Sequence, residues 1–148
     1  MLFNREVAEE VLSIQIPAYQ VEARLSGFLD IPTLRDSVES LQAVAEYETF
    51  WGAYMDEQLV GVISYRKEDE LLDIYRLFVH PDHFRARIGT ALLQAMWEAE
   101  APFSRTIVST AANNFPAIAF YEKHGFRMIK RKQIPGELAI ACFEKNFD

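Results

Sequence analysis

Tyr121 is the side chain of this sequence best suited to do chemistry. It lies in the segment Asn114-Phe-Pro-Ala117-Ile-Ala-Phe120-Tyr121-Glu-Lys-His-Gly125-Phe126. A phenol with a pKa of about 10 stays protonated at neutral pH and can donate a proton. The residues around it predict a helix over 115–124. Asn113 or Asn114 can cap it by accepting from a free backbone N–H. Pro116 fits the first turn, where its missing N–H costs nothing. Gly125 stands where a left-handed terminal residue is wanted, and Phe126 begins a strand. Each residue also has a plainer role. Asn114 can be a cap and nothing more, and Tyr121 can pack on a sheet with its hydroxyl at the edge.

A second chemistry lies upstream, in Leu77-Phe78-Val79-His80-Pro81 and then Phe84-Arg85-Ala86-Arg87-Ile88-Gly89-Thr90-Ala91-Leu92-Leu93. This reads as strand, turn and a helix whose N-terminus is small and basic. Unpaired N–H groups and the helix dipole suit such an end to a pyrophosphate. Arg85 and Arg87 can add direct contacts. The three-glycine dinucleotide fingerprint is absent. Ahead of Val79, alternation puts Asp73, Tyr75 and Leu77 on one strand face. Asp73 is an acid able to take a proton, directly or through water, and an ordinary surface carboxylate explains it as well. His80 and His124 sit in turns. No His, Asp or Glu cluster has metal-ligand spacing, so no metal is expected.

The elements that must position these residues follow from periodicity. Leu2 to Asn4 suggests a short first strand. Val7, Val11, Leu12 and Ile14 mark a helix over 6–16, which Pro17 interrupts or kinks and residues 18–26 continue. Thr33 is a candidate cap for a second helix carrying Leu34, Val38, Leu41 and Ala45. The period then changes to two. Strands are predicted over 49–55, 59–65 and 71–79, joined by turns at Asp56-Glu-Gln and Glu68-Asp-Glu. A helix over 87–100 leads to a strand over 105–110. The helix over 115–124 leads to strands over 126–132 and 138–147, with a turn at Pro135-Gly136. The strand–helix–strand crossover favours parallel pairing of 71–79 with 104–110. The predicted fold is a single α/β domain over 1–148, a mixed sheet with helices on both faces.

Composition narrows the function classes. The net charge of −7 argues against nonspecific nucleic-acid binding, which wants a basic face, and is compatible with an amine substrate. The single cysteine, Cys142, excludes an internal disulfide and a cysteine metal site, and reads as a buried strand residue. No stretch approaches the ~18 apolar residues of a membrane span. With no signal-peptide pattern at the N-terminus, a reducing cytoplasmic setting is the expectation.

Together the two segments resemble the GNAT superfamily of acetyl-CoA-dependent N-acyltransferases, well over residues 49–132 and by element order elsewhere. The Asn-x-x-Ala-x-x-Phe-Tyr-x-x-x-Gly-Phe pattern is the more specific half. Val79, Pro81, Gly89 and the following Leu-Leu match the other. The sequence departs at Arg87, where the family usually has glycine, and at Tyr75, where glutamate is common. The resemblance implies a mostly antiparallel sheet with a splayed parallel central pair. It implies that Arg85, Ala86, Arg87, Ile88, Gly89 and Thr90 hold the diphosphate of coenzyme A. It places the thioester and pantetheine against the backbone of Leu77, Phe78 and Val79, with Asn114 alongside. It gives Tyr121 the role of general acid to the departing thiolate, near the coenzyme sulfur. Asp73 becomes the candidate base. The acceptor is a small-molecule amine or a peptide or protein amine, and the chain is a monomer or homodimer. Variable elements around a fixed scaffold commonly set specificity, so selection of the acceptor is expected to fall to residues 6–46 and 133–137. There Tyr19, Glu22, Phe28, Asp30 and Asp36 can meet a cation, although ordinary solvated helix faces explain the same residues as well. The alternative is a noncatalytic acyl-CoA-binding or regulatory domain on the same fold.

Overall fold

A computed structural model describes residues 3–26, 36–84, 87–133 and 139–147. Helices α1 (Arg5–Ser26) and α2 (Val38–Val44) come first. The meander β1 (Thr49–Met55), β2 (Gln58–Glu68) and β3 (Leu71–Val79) follows. A 3-10 turn at Pro81–His83 leads into α3 (Ile88–Glu100). The chain then runs through β4 (Arg105–Ala111), α4 (Phe115–Lys123), β5 (Arg127–Lys132) and β6 (Ile140–Asn146). The six strands form one sheet in the order β1-β2-β3-β4-β6-β5. All pairs are antiparallel except β3 with β4. The parallel crossover through α3 is therefore the one that the strand–helix–strand order predicts.

Two apolar layers hold the sheet. On one face Ile88, Leu92, Leu93 and Met96 of α3 and Tyr121 of α4 bury against Val60, Ile63, Leu72, Ile74, Val108 and Phe143. Leu93, Met96 and Leu72 are fully buried, each stabilising by roughly 1.5–3 kcal/mol. On the other face Ala8, Val11 and Ile14 of α1 and Leu41 of α2 cover Phe50, Leu59, Val62 and Phe78.

The N-terminal third differs from its sequence reading. Residues 1 and 2 lie outside the described residues, and Phe3 and Asn4 form no strand. The Phe3 ring packs on Phe50 at 4.6 Å, and the Asn4 side chain caps α1 by accepting from the Val7 N–H at 2.9 Å. Helix α1 runs through Pro17 without a break. Proline inside a helix costs about 3 kcal/mol. That cost is outweighed here because buried residues on both sides of it, Ile14 and Ala23, dock the same helix. Thr33 and Leu34 lie outside the described residues, and α2 starts later than expected. Ser37 provides its cap, exchanging hydrogen bonds with Ser40 in a capping box. The Pro135-Gly136 turn also lies outside the described residues.

Candidate active site

Strand β3 shapes the site through two irregularities. The first is a bulge. Ser64 pairs with Arg76 and Tyr65 with Ile74, so Tyr75 is the extra residue. A bulge inverts the alternation beyond it. Leu72 and Ile74 face the α3 layer, and past the bulge Leu77 and Val79 face it instead, leaving Arg76 and Phe78 toward α1 and α2. The expectation that Asp73, Tyr75 and Leu77 share one face therefore fails: Asp73 and Leu77 are on opposite faces. The second irregularity is a splay. β3 and β4 pair only from Leu71↔Arg105 to Ile74↔Val108, although the strands continue to Val79 and Ala111. Beyond Ile74 the β3 edge has no ladder partner on that side among the described residues, and the sheet opens.

A cavity of about 700 Å³ occupies this opening. Because the sheet is parted, side chains from both helical layers reach it. Leu77, Phe78 and Val79 line it from β3, Arg87, Ile88, Gly89 and Thr90 from the start of α3, and Asn114, Phe120 and Tyr121 from α4. Tyr19 and Glu22 line it from α1. Arg85 and Ala86 lie outside the described residues.

The start of α3 is built to leave donors free. The first intrahelical bond among the described residues runs from the Ala91 N–H to the Arg87 carbonyl at 3.1 Å. The N–H groups of Ile88, Gly89 and Thr90 thus belong to the unbonded first turn. Arg87 is the cap residue, with φ 60° and ψ 23° and no side-chain cap bond. This is left-handed backbone, which gives a physical reason for glycine in the family's pattern at this point. Gly89 has a second constraint. A Cβ there would meet the Phe120 ring at 3.1 Å. The Thr90 hydroxyl lies 3.0 Å from His124 Nε2. His80 turns inward on its own loop, its Nδ1 accepting from the Asp82 N–H at 3.1 Å.

On α4, Asn114 does cap the helix, its Oδ1 accepting from the Ala117 N–H at 3.3 Å. Gly125 ends it at φ +89°, with the Phe126 N–H donating to the Tyr121 carbonyl at 3.0 Å. Between these fixed ends Tyr121 is held by Phe120, Phe126 and Phe143 at ring distances of 5.5, 5.4 and 6.2 Å. Its hydroxyl has no hydrogen-bond partner among the described residues and borders the cavity. Burial, with a smaller contribution from the nearby Glu22 charge, pushes its pKa well above the phenol range, so it stays protonated.

The candidate acids separate clearly. Asp73 is not among the residues lining the cavity. Its carboxyl sits among Arg66, Glu68 and Tyr75, and desolvation raises its pKa against the lowering effect of Arg66. Asp36 belongs to a buried ion-pair network. Its Oδ2 accepts from Arg76 at 3.0 Å and from Gln15 Nε2 at 2.7 Å, and Arg76 also binds Glu48. Phe28 and Asp30 lie outside the described residues. Tyr19 and Glu22 remain. They stand one helical turn apart on α1 and both line the cavity. Tyr19 packs edge-on against Phe78 at 5.5 Å. Glu22 is mostly withdrawn from water, which raises its pKa, while a hydrogen bond from Asn114 works in the opposite direction. Lys123 and His83, at the cavity wall, were not legible as site residues. The i, i+3 spacing of Tyr19 and Glu22 was a sequence signal, but only the fold shows which way that face points. Among the described residues no group of His, Cys, Asp and Glu is arranged to hold a metal, and no helix is long and apolar enough to cross a membrane.

Comparison with known proteins agrees with this geometry. Residues 46–128 match the family model of the acetyltransferase (GNAT) domain. UPF0157 protein YqkA of Bacillus subtilis is 40% identical over 137 residues, 93% of this chain but only 39% of the relative. The chain thus spans well under half the length of that relative. The PaiA N-acetyltransferase of Thermoplasma acidophilum, solved with coenzyme A, superposes with a TM-score of 0.77 at 20% identity, covering 97% of this chain and 95% of its own. The ribosomal-protein-S18-alanine N-acetyltransferase of Escherichia coli also gives 0.77, at 15% identity, covering 97% and 89%. At such identities these two likenesses show the fold alone.

Proposed function

The chain belongs to the GNAT acetyltransferase family, and from that premise we propose that it transfers an acetyl group from acetyl-CoA to a primary amine by direct attack in a ternary complex. The observation that carries this reading is the cavity in the parted sheet, where free backbone donors and a protonated phenol meet in one space. The fit to coenzyme A is chemical. The first-turn N–H groups of Ile88, Gly89 and Thr90 suit a diphosphate, and the Arg87 and Lys123 side chains add positive charge at the wall. The unpaired β3 edge beyond Ile74 offers backbone donors and acceptors to an extended amide chain such as pantetheine. The apolar side chains of Leu77, Val79 and Phe120 exclude water from the thioester.

In this scheme the β3 backbone orients the thioester, and alignment with the amine supplies much of the rate. As nitrogen bonds to the carbonyl carbon and the carbon–sulfur bond breaks, Tyr121 gives its hydroxyl proton to sulfur. The raised Tyr121 pKa does not defeat this step. The same desolvation raises the pKa of a departing thiol in the same cavity, which reduces the mismatch that a solvated thiol would have with the phenol.

Calorimetry with acetyl-CoA, followed by release of free thiol on adding primary amines, tests the proposal. One acetyl-CoA per chain and amine-dependent thiol release are expected. Gly89→Asp should abolish binding, because it puts a carboxylate at the diphosphate and a side chain against Phe120. Absence of acetyl-CoA binding by the wild type would overturn the reading. Binding without transfer to any small or peptide amine would favour a noncatalytic acyl-CoA-binding domain, the reading to which the departure at Arg87 lends support.

A further inference from the structure

The acceptor side of the cavity singles out one of the several residues that the sequence offered to a cation. Among the described residues lining the cavity, Glu22 is the only carboxylate. It has no Lys, Arg or His partner among them. Asn114 is its hydrogen-bond partner, and the orientation of that amide is already fixed. The Asn114 Oδ1 is occupied by the Ala117 N–H and its NH₂ also donates to Thr110 Oγ1 at 3.4 Å, so the second hydrogen of that NH₂ is the one that can face Glu22. The cap of α4 therefore also holds the carboxylate of α1. Tyr121, on the same helix as that cap, feels the Glu22 charge across the cavity, as does Tyr19 one turn before it. An anion mostly withdrawn from water, facing a neutral amide and given no ion-pair partner among the described residues, is a receptor for a cation.

We propose that Glu22 is the acceptor-binding and proton-accepting residue of the cavity, and that the acceptor is a primary amine bearing a single positive charge. This rests on the acetyl-transfer reading above. A Glu22 oxygen receives the ammonium and takes one proton, which leaves a neutral amine. The amine lone pair forms the carbon–nitrogen bond as the carbon–sulfur bond breaks. Tyr121 protonates sulfur and recovers a proton from the nitrogen, which still holds one too many. Glu22 then releases its proton to solvent. Donors, acceptors and charge balance, with one proton liberated per acetyl moved. The other ionisable groups bordering the space are Tyr19, Tyr121, His83, Arg87 and Lys123, with Arg76 and Asp36 acting on Tyr19 from beneath. None of these is a carboxylate in the cavity, so a second ammonium on the acceptor finds no partner among the described residues. A diamine should be disfavoured against a monoamine of equal length.

The test uses the full chain with coenzyme A bound. Phenethylamine and 1,5-diaminopentane are titrated by calorimetry into wild type, Glu22→Gln and Glu22→Asp, and kcat/KM is followed against pH. Wild type should prefer phenethylamine. Glu22→Gln should lose at least tenfold in amine affinity, keep its coenzyme A affinity, and lose the acidic limb of the pH profile. Glu22→Asp should recover part of both, which a purely structural role would not allow. Coenzyme A binding with no amine binding by wild type would overturn the inference. So would a Glu22→Gln variant with wild-type amine affinity and an unchanged acidic limb. Failure of coenzyme A to bind at all would instead overturn the acetyl-transfer reading beneath it.

Discussion

The two helical layers reach the same cavity by different physical means. The α3/α4 layer is apolar and closely packed, and it presents mainly backbone. Its contributions are first-turn N–H groups, a capped helix and one phenol clamped by three aromatic rings. The α1/α2 layer has the smaller apolar cluster and depends on buried charge. Arg76 of β3 binds Asp36 ahead of α2 and Glu48 ahead of β1, and Gln15 of α1 joins through Asp36. In the proposed reaction backbone donors would serve what every coenzyme A molecule has in common, and side-chain charge what differs between acceptors. A fold that holds the first rigidly can vary the second by changing a helix face.

The sharpest test of the α3/α4 side is Tyr121→Phe. It removes a hydroxyl without a partner among the described residues and keeps the ring in its aromatic clamp. Turnover should fall by about 10²–10⁴, with acetyl-CoA affinity and melting temperature nearly unchanged. Near-normal turnover, measured where chemistry limits the rate, would leave this layer a binding surface only.

On the α1/α2 side the corresponding change is Arg76→Met. The Arg76 side chain is only 9% exposed and its partners Asp36 and Glu48 15% and 9%. Removing it leaves two carboxylates buried without their cation, a loss of about 3–5 kcal/mol. Urea unfolding should detect this, while the coenzyme A affinity of the folded fraction should hold. A loss below about 1 kcal/mol would mean that charge does not organise this layer.

Legibility in the sequence follows the same division. The α3/α4 side is local in the chain, so its signals are local. Asn114, Pro116 and Gly125 encode a capped helix within a dozen residues, and Tyr121 falls between them. The crossover β3–α3–β4 follows from element order alone. The α1 side is assembled from residues far apart, and periodicity cannot orient one helix over another. The bulge at Tyr75 has no sequence signal either. It carries no glycine, and the alternation through Asp73, Tyr75 and Leu77 looks regular until the ladder with β2 is known. That one extra residue turned Asp73 away from Leu77, and the parted sheet brought Glu22 in.

Acid titration of stability compares two carboxylates of opposite environment. Glu144 accepts from Arg127 at 3.0 Å and from Arg105 at 2.7 Å, and these bonds hold its pKa below the ordinary range. Its contribution is present above the unfolded value of 4.5 and is lost as pH falls through the lower folded value. Glu22 is raised by burial, so its contribution has the reverse sign. It is fully present below 4.5 and is lost as pH rises through the folded value. Thermal melts of Glu22→Gln should therefore lie above wild type at pH 7 and converge with it below pH 4.5. Melts of Glu144→Gln should lie below wild type at pH 7 and converge only at still lower pH. Parallel curves for the two variants would break the contrast.

The smallest expected effect sharpens the description of the backbone side. Arg87 caps α3 at φ 60°, a conformation that costs a side-chain-bearing residue about 1–2 kcal/mol. Glycine relieves this but returns about 0.5–1 kcal/mol through the greater freedom of its unfolded chain. Arg87→Gly should thus stabilise the protein by roughly 0.5–1 kcal/mol, read as a higher urea midpoint at constant slope. The same change removes a cation from the cavity wall, so coenzyme A should bind more weakly and with a shallower dependence on salt. Opposite movements of stability and affinity would identify Arg87 as a strained residue retained for its charge. If both rise together, its side chain obstructs the diphosphate, and the free N–H groups of α3 alone account for binding on this side.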